Sequence, residues 1–314
     1  MSFINVLIVT EWDNGGQMYA LYRALDLYTE HKARLITFKQ SYLNYDTDVF
    51  DPNLDKVNVL VGWADFFILG EILQPRMHTA PILARIRPDN CIVRAGGSTA
   101  RIYPQYYMTN EYRKIMKTGA FHDHTITSRI FPMAPTVNMY HFQDFPPKKH
   151  RVNNGRLKIV FSGTALKQKN EHSGEFMKAW EILSKKYPDD LELINIRNTS
   201  WKETLKIKAG CDICFDQLSI GTYANSAIEG MYYYMPTLAF VSAWSQTVHP
   251  DAPIVNVKTS GEIIDRIEGY IDNRNGMIDI GWEGHNYVVN NHSDLIAIKK
   301  WEALIKYVSE EYLK

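Results

Sequence analysis

The chain has 314 residues, 45% hydrophobic and 22% charged, with 35 Lys and Arg against 35 Asp and Glu. At about 150 residues per domain this is material for two apolar cores, which excludes an intrinsically disordered chain. The balanced charge excludes a global pull toward nucleic acid or anionic lipid, although one stretch departs from it. From Leu73 to Pro132, nine basic residues (Arg76, Arg85, Arg87, Arg94, Arg101, Arg113, Lys114, Lys117, Arg129) stand against three acids (Asp89, Glu111, Asp123). That surplus fits an anionic ligand or acceptor, or a solvated face.

The opening MSFINVLIVT has neither a basic leader nor a small-residue cleavage site, so it is read as a strand and not a signal peptide. VNVLVGWADFFILG is the most apolar run, but Asp65 breaks it and it falls short of the roughly 20 residues that cross a bilayer, so no stable membrane insertion is expected. Three cysteines, Cys91, Cys211 and Cys214, suit a reducing compartment. The expected location is cytoplasmic, or the host cytoplasm if the chain is phage-encoded.

After the strand Phe3 to Thr10 comes the loop EWDNGG, with Gly15 and Gly16, and then Met18, Leu21, Tyr22, Leu25 and Tyr28 on one helical face. The strand ARLITF completes a βαβ unit, which implies a parallel sheet. VNVLVG and CIVRAGG are further expected strands. The segment FPPKKHRVNNGR, residues 145 to 156, has the composition of a linker.

Beyond it the pattern restarts with the strand LKIVFSG, a helix from Ser173 to Lys186, the strand LELINIR, a helix around Lys202 to Lys208 and the strand DICFDQL. A helix from near Asn225, strands TLAFVS and IVNV, and a helix from Glu262 to Ile271 follow. The last helix begins at Ser293 and presents Leu295, Ile298, Trp301, Leu304, Ile305 and Val308 along a broad face. The expected organisation is α/β: residues 1–148 and 149–292 form two Rossmann-like domains facing a central cleft, and 293–314 is a bridging helix packing back toward the first.

Residues 216 to 236, DQLSIGTYANSAIEGMYYYMP, combine a turn-rich loop, a single glutamate and three consecutive tyrosines. Asn225 and Ser226 are good helix caps, and Gly221 and Ala224 let a ligand approach the backbone, so the loop Ile220 to Ser226 can hold a diphosphate at a helix N-terminus. Glu229, one turn further, would accept ribose hydroxyls. The competing reading is an ordinary capped helix with an exposed glutamate. The tyrosines would form the packing part of the helix before Pro236 ends it.

The string formed by Asp216, Gln217, Leu218, Gly221, Tyr223, Ala227, Glu229, Gly230, Met231 and Pro236 resembles the nucleotide-sugar signature of GT-B glycosyltransferases of the family 4 type. The resemblance implies transfer of a hexose or pentose from a UDP- or GDP-linked donor to an acceptor hydroxyl, with retention of configuration and with neither metal nor further cofactor. It makes Glu229 the ribose-binding residue and sets the diphosphate against Gly221, Thr222, Tyr223, Ala224, Asn225 and Ser226. Two positions depart from the pattern: Gly221 stands where the family has its first glutamate, and Ala224 where a glycine is usual. Asp216 is the candidate to substitute for the missing acid.

FSGTALKQKN lies where these enzymes neutralise the departing diphosphate, which points to Gly163, Lys167 and Lys169, with Arg197 after the next strand. On the acceptor side the resemblance points to Gly15 and Gly16, and to Gly97, Ser98 and Arg101 in RAGGSTAR. A glycan is the commonest acceptor in the family. The basic stretch, with Tyr103, Tyr106, Tyr107, Tyr112 and Phe121, also suits DNA carrying a modified base, flipped out to reach the donor. Without the first glutamate, the same residues also fit a non-catalytic nucleotide-sugar-binding protein, or an epimerase-like relative on the same fold.

Two constellations are set aside. Cys211 and Cys214 form a C-x-x-C without a second pair for zinc and are read as structural thiols; His122 and His124 lack a third ligand, so no metal site is expected.

Overall fold

The computed structural model describes residues 3–13, 15–40, 44–50, 53–70, 73–95, 119–121, 133–135, 146–147, 155–162 and 174–310. The chain divides into two compact units, Met1–His141 with His292–Lys314, and Phe142–Asn291.

The first unit contains β1 (Asn5–Thr10), α1 (Gln17–Tyr28), β2 (Lys32–Thr37), β3 (Val49–Phe50), α2 (Leu54–Trp63), β4 (Phe66–Gly70), α3 (Ala80–Leu83), β5 (Cys91–Ala95), β6 (Gly119–Phe121) and β7 (Met133–Pro135). The second contains β8 (Leu157–Ser162), α4 (Gly174–Lys186), β9 (Leu191–Ile196), α5 (Trp201–Lys208), β10 (Ile213–Phe215), α6 (Asn225–Tyr232), β11 (Thr237–Ala239), α7 (Ala243–Val248), β12 (Val255–Asn256), α8 (Ser260–Asp272) and α9 (Gly276–Asn291). The last helix, α10 (Asp294–Glu310), belongs to the first unit.

The first sheet runs β3-β2-β1-β4-β5-β6-β7 and every pairing in it is parallel. A strand buried on both faces sends alternate side chains to opposite layers. Val6, Ile8, Phe66 and Ile68 pack with Leu21 and Leu25 of α1 and with Ile298, Trp301 and Ile305 of α10. Leu7, Val9, Phe67 and Leu69 pack on the other face with Val57 and Val61 of α2 and Ile82 of α3. Tyr28 also donates its hydroxyl to Asp294 Oδ2 at 3.2 Å, tying α1 to the start of α10. Leu295, placed on the apolar face by its spacing, is 49% exposed.

The expectation of a strand at VNVLVG is wrong: these residues lie in α2. Asn53 caps that helix by accepting the amide proton of Lys56 at 3.1 Å, and the valines obey the helical period, with Val57 and Val61 buried while Val59 is 70% exposed. β-branched composition suggested a strand, but the cap and the spacing of four decide. The strand is the next segment, β4.

The second sheet runs β12-β11-β10-β8-β9, again wholly parallel. Its order reverses between β8 and β10, as that of the first sheet does between β1 and β4. In open parallel sheets such reversals leave a crevice at the strand carboxyl ends where ligands bind.

The tyrosine run proves to be a helix stop. α6 ends at Tyr232, and Tyr234 takes the left-handed conformation at φ 61°. The amide of Met235 donates to Gly230 O at 3.1 Å and that of Tyr234 to Met231 O at 3.0 Å, which is the Schellman pattern with tyrosine in the usual glycine position. Tyr234 stacks on His285 at 4.2 Å and meets the edge of Trp282 at 4.8 Å, both on α9. Helix α9 is not announced by the sequence pattern. Its glycines argue against a helix in sequence but permit close packing in space: Gly281 lies under the carbonyl of Tyr234, and Gly284 against the side chain of Met231.

Candidate functional site

At the reversal point of the second sheet, β8 ends in Ser162 and β10 in Phe215, and the loop after β10 leads into α6. That loop is braced from within. Asp216, 1% exposed, accepts the amide proton of Ala224 on Oδ2 at 2.7 Å. Gln217 accepts the amides of Ser219 and Ile220 on Oε1 at 2.8 and 2.7 Å and donates from Nε2 to Thr222 O. Ser242 donates both its amide and its hydroxyl to Gly221 O at 2.9 Å, and Ser245 donates its hydroxyl to Thr222 Oγ1 at 2.9 Å.

Gly221 sits at φ 77°, in the left-handed region that favours glycine. The turn needs this conformation, which accounts for a glycine where the resemblance leads one to expect an acid. The amides of Gly221, Thr222 and Ser226 donate no hydrogen bond to the described residues. They remain available to an anion.

The cap of α6 differs from expectation. Ala224 occupies the N-cap and makes no side-chain cap, and Asn225 and Ser226 are the first two helical residues. Ser226 points instead into a buried polar cluster. Its hydroxyl lies 2.8 Å from that of Ser162, and it accepts from Lys208 Nζ at 2.9 Å. Lys208, 0% exposed, also donates to Ser226 O at 3.3 Å and to Glu229 Oε2 at 2.5 Å.

Glu229 is therefore buried, at 7% exposed, and ion-paired, unlike the solvated glutamate of an ordinary surface helix. Burial lowers the pKa of Lys208, but Glu229, Cys214 and Asp216 together more than offset it, and the ammonium is held above its usual range. A cation, a carboxylate and two hydroxyls are thus gathered at the carboxyl end of the sheet, next to amides that can take a phosphate. Such a site can bind a phosphorylated, hydroxyl-bearing ligand.

Lys208 is not among the residues that the sequence pattern marks for the site. Its signal was the stripe Trp201, Leu205, Lys208 on the buried face of α5, in which a lysine occupies an apolar position. A lysine in a helix's last turn ordinarily reads as a solvated partner of the macrodipole.

The remaining expected residues are distributed as follows. Tyr223 is buried, and its hydroxyl lies 2.9 Å from that of Tyr287, which lies 3.4 Å from His249 Nδ1. Burial raises the pKa of Tyr223 well above the ordinary range, so it stays protonated under the loop. Arg197 is exposed just past β9. Gly163, Lys167 and Lys169, Gly97, Ser98 and Arg101, and His122 to His124 lie outside the described residues. Among the described residues no cluster suited to a metal is found. Cys211 and Cys214 are unpaired thiols pushed by burial up to about 12 and about 11, so both are inert at neutral pH.

In the first unit the glycine loop has a different character. Gly16 is the N-cap of α1 at φ 66°, and Asp13 accepts the amides of Met18 and Tyr19 at 3.3 and 2.9 Å. Burial pushes the Asp13 carboxyl up, opposed by those amides and by Arg94. The first turn of α1 is filled by the chain's own carboxylate. An external phosphate is better received at α6.

No protein-family model matches the chain, and neither does any curated protein. Solved structures do resemble it in fold. An alpha-glucosyltransferase in complex with UDP and a 13-mer DNA with a central A:G mismatch superposes with TM-score 0.69 and 10% identity, covering 96% of this chain and 100% of the other. Anabaena HepE in complex with UDP and glucose gives 0.66 and 9%, covering 97% and 100%. The UDP-GlcNAc 2-epimerase from Neisseria meningitidis bound to UDP-GlcNAc gives 0.56 and 12%, covering 96% and 100%. At such identities the likeness establishes the fold alone: α/β, of the GT-B type, with two Rossmann-like units.

Proposed function

We propose that the chain is a glycosyltransferase that moves a hexose or pentose from a nucleoside-diphosphate sugar, UDP- or GDP-linked, to an acceptor hydroxyl with retention of configuration. The observation that carries this reading is the buried Lys208–Glu229–Ser226–Ser162 cluster beside the available amides of the Gly221–Ser226 loop, at the reversal point of the second sheet. The ribose binds Glu229, the diphosphate binds the loop and the first turn of α6, and Asp216 serves the donor through the loop it braces. Gly163, Lys167, Lys169 and Arg197 complete the diphosphate site, so that charge developing on the leaving group meets fixed cations and amides. No metal or other cofactor is required. The protein works in the cytoplasm.

The first unit receives the acceptor, through Gly15, Gly16, Gly97, Ser98 and Arg101. A glycan and modified DNA are the two acceptor classes. DNA is favoured by the surplus of basic residues between Leu73 and Pro132 and by the fold shared with a DNA-bound glucosyltransferase.

A thermal-denaturation series with UDP, GDP and their sugars tests the donor. Saturation at a hundred times Kd stabilises the second unit by about 2.7 kcal/mol, which is a shift of several degrees. The absence of any nucleotide-dependent shift would reject the reading. Turnover of a donor only when acceptor is added distinguishes transfer from epimerisation, which needs no acceptor. Salt-sensitive DNA retention separates the two acceptor classes.

A further inference from the structure

Lys208 is an unexpected residue for its place. Trp201 and Leu205 precede it on the same buried face of α5, and an aliphatic residue would continue that stripe without the desolvation cost of an ammonium. Replacing a buried ion pair by apolar groups of similar volume is often neutral or stabilising, so the pair is poorly explained as a device for stability.

Its geometry explains it better. The three ammonium protons have three recipients, Ser226 O, Ser226 Oγ and Glu229 Oε2, all on the first two turns of α6. The charged and titratable groups around the pair are Cys211, just before β10, Cys214 and Asp216 from β10 and its following loop, and Tyr233 from the end of α6. None of these is a cation. Among the described residues, Lys208 is the positive charge that faces this cluster.

We infer that Lys208 is a positioning residue that sets nucleotide affinity through Glu229, by engaging Oε2 so that Oε1 is presented to the ribose in one rotamer. The inference rests on the donor site proposed above. Lys208 is 0% exposed and its hydrogen bonds all go to Ser226 and Glu229, so its effect on binding travels through those two residues. The upward shift of its pKa agrees with a lysine that remains charged throughout the neutral range.

A double-mutant cycle on UDP affinity tests this, with wild type, Lys208→Met, Glu229→Gln and the double variant measured by titration calorimetry. A lost hydrogen bond to a charged group predicts that Lys208→Met and Glu229→Gln each weaken UDP binding at least about tenfold. The double variant should bind no more weakly than Glu229→Gln alone, because the carboxylate through which the lysine acts is already gone. A purely structural lysine would instead leave UDP affinity at the wild-type value in any Lys208 variant whose near-UV circular dichroism matches the wild type.

Wild-type affinity in Lys208→Met, or losses that multiply in the double variant, would overturn the inference while leaving the donor site standing. Failure of the wild type to bind UDP or GDP would reject the donor site, and the inference with it. If Lys208→Met does not fold, its lone buried carboxylate being the cause, Lys208→Gln replaces it in the cycle. The double variant leaves neither member of the pair charged, and its near-UV circular dichroism reports whether the core is intact.

Discussion

Asp216 closes a loop of nine residues, 216 to 224, by accepting the amide proton of Ala224, 2.7 Å from its carboxylate oxygen. The bond holds the end of β10 to the start of α6, so the loop that carries the available amides is fixed at both ends. A loop ordered before its ligand arrives loses less entropy on binding.

Asp216→Ala should therefore cost both order and affinity. Removing a buried acceptor leaves the Ala224 amide unsatisfied, which destabilises by about 1–3 kcal/mol. Nucleotide affinity should fall with it, whereas Asp216→Asn, which keeps an acceptor oxygen, should retain most of both. Chemical denaturation together with UDP titration checks the pair of outcomes; equal loss in both variants would mean that the charge matters and the brace does not.

Gly221 leads to a second prediction. At φ 77° any side chain there is strained, and a Cβ would stand 3.4 Å from Ser242 Cβ. Gly221→Ala should destabilise by about 1–2 kcal/mol. Gly221→Glu, which restores the acid usual in the signature, should be no more stable and should not tighten donor binding, because its backbone is built for a turn. A gain in donor affinity in Gly221→Glu would show that the loop can adopt the alternative conformation.

Much of this was legible in sequence where a local pattern has one physical meaning. The strands β1, β2, β5, β8 and β9 announce themselves by apolar runs bounded by turn residues, and the helix after the Gly221 loop is legible too, although its expected caps Asn225 and Ser226 are helical residues. The errors share a cause. Val57 to Gly62 looked like a strand because β-branched residues weigh toward one, whereas the deciding contact is Asn53 to the Lys56 amide. Glu229 could not be told from a solvated glutamate, because its burial depends on Lys208, 21 residues earlier. Helix α9 was invisible for a similar reason: Gly281 and Gly284 are unfavourable locally and are explained only by the backbone of Tyr234 and the side chain of Met231.

The contrast among glycines is itself testable. A Cβ at Gly230 would lie 2.6 Å from Cys214 Cβ and 2.7 Å from Thr237 Oγ1, in the seam between α6 and the sheet. Gly230→Ala should cost about 1–3 kcal/mol by overpacking. Gly269, within α8, has nothing within 4 Å, and Gly269→Ala should stabilise by up to about 1 kcal/mol through helix propensity. Denaturant midpoints for the two variants should move in opposite directions.

Glu175 sets part of the acid limb of stability. It accepts from Lys178 Nζ at 2.6 Å and from the amide of Ser260 at 3.0 Å, joining α4 to the start of α8. These bonds, that from Lys178 foremost, lower its pKa from 4.5 to about 2. A depressed carboxyl stabilises the fold above its unfolded pKa and loses that contribution as pH falls through the folded value. The urea midpoint of Glu175→Gln should lie below that of the wild type at pH 6, and the gap should close between about pH 4.5 and 2. A gap of constant size across that range would assign the effect to packing.

Tyr234 poses a conflict between backbone and side chain that a single substitution resolves. Its left-handed φ of 61° favours glycine, so Tyr234→Gly relieves about 1 kcal/mol of strain. The same change removes a ring that is 8% exposed and stacked on His285, with Trp282 at its edge. Losing that burial costs about 2–3 kcal/mol and losing the aromatic pairs about 0.5–1.5 kcal/mol more. The side-chain loss is the larger, and Tyr234→Gly should lower the thermal midpoint of the second unit even though it installs the preferred residue at the helix stop. A rise in the midpoint would mean that the tyrosine is held there at the expense of stability, and would move the explanation of the tyrosine run from packing to function.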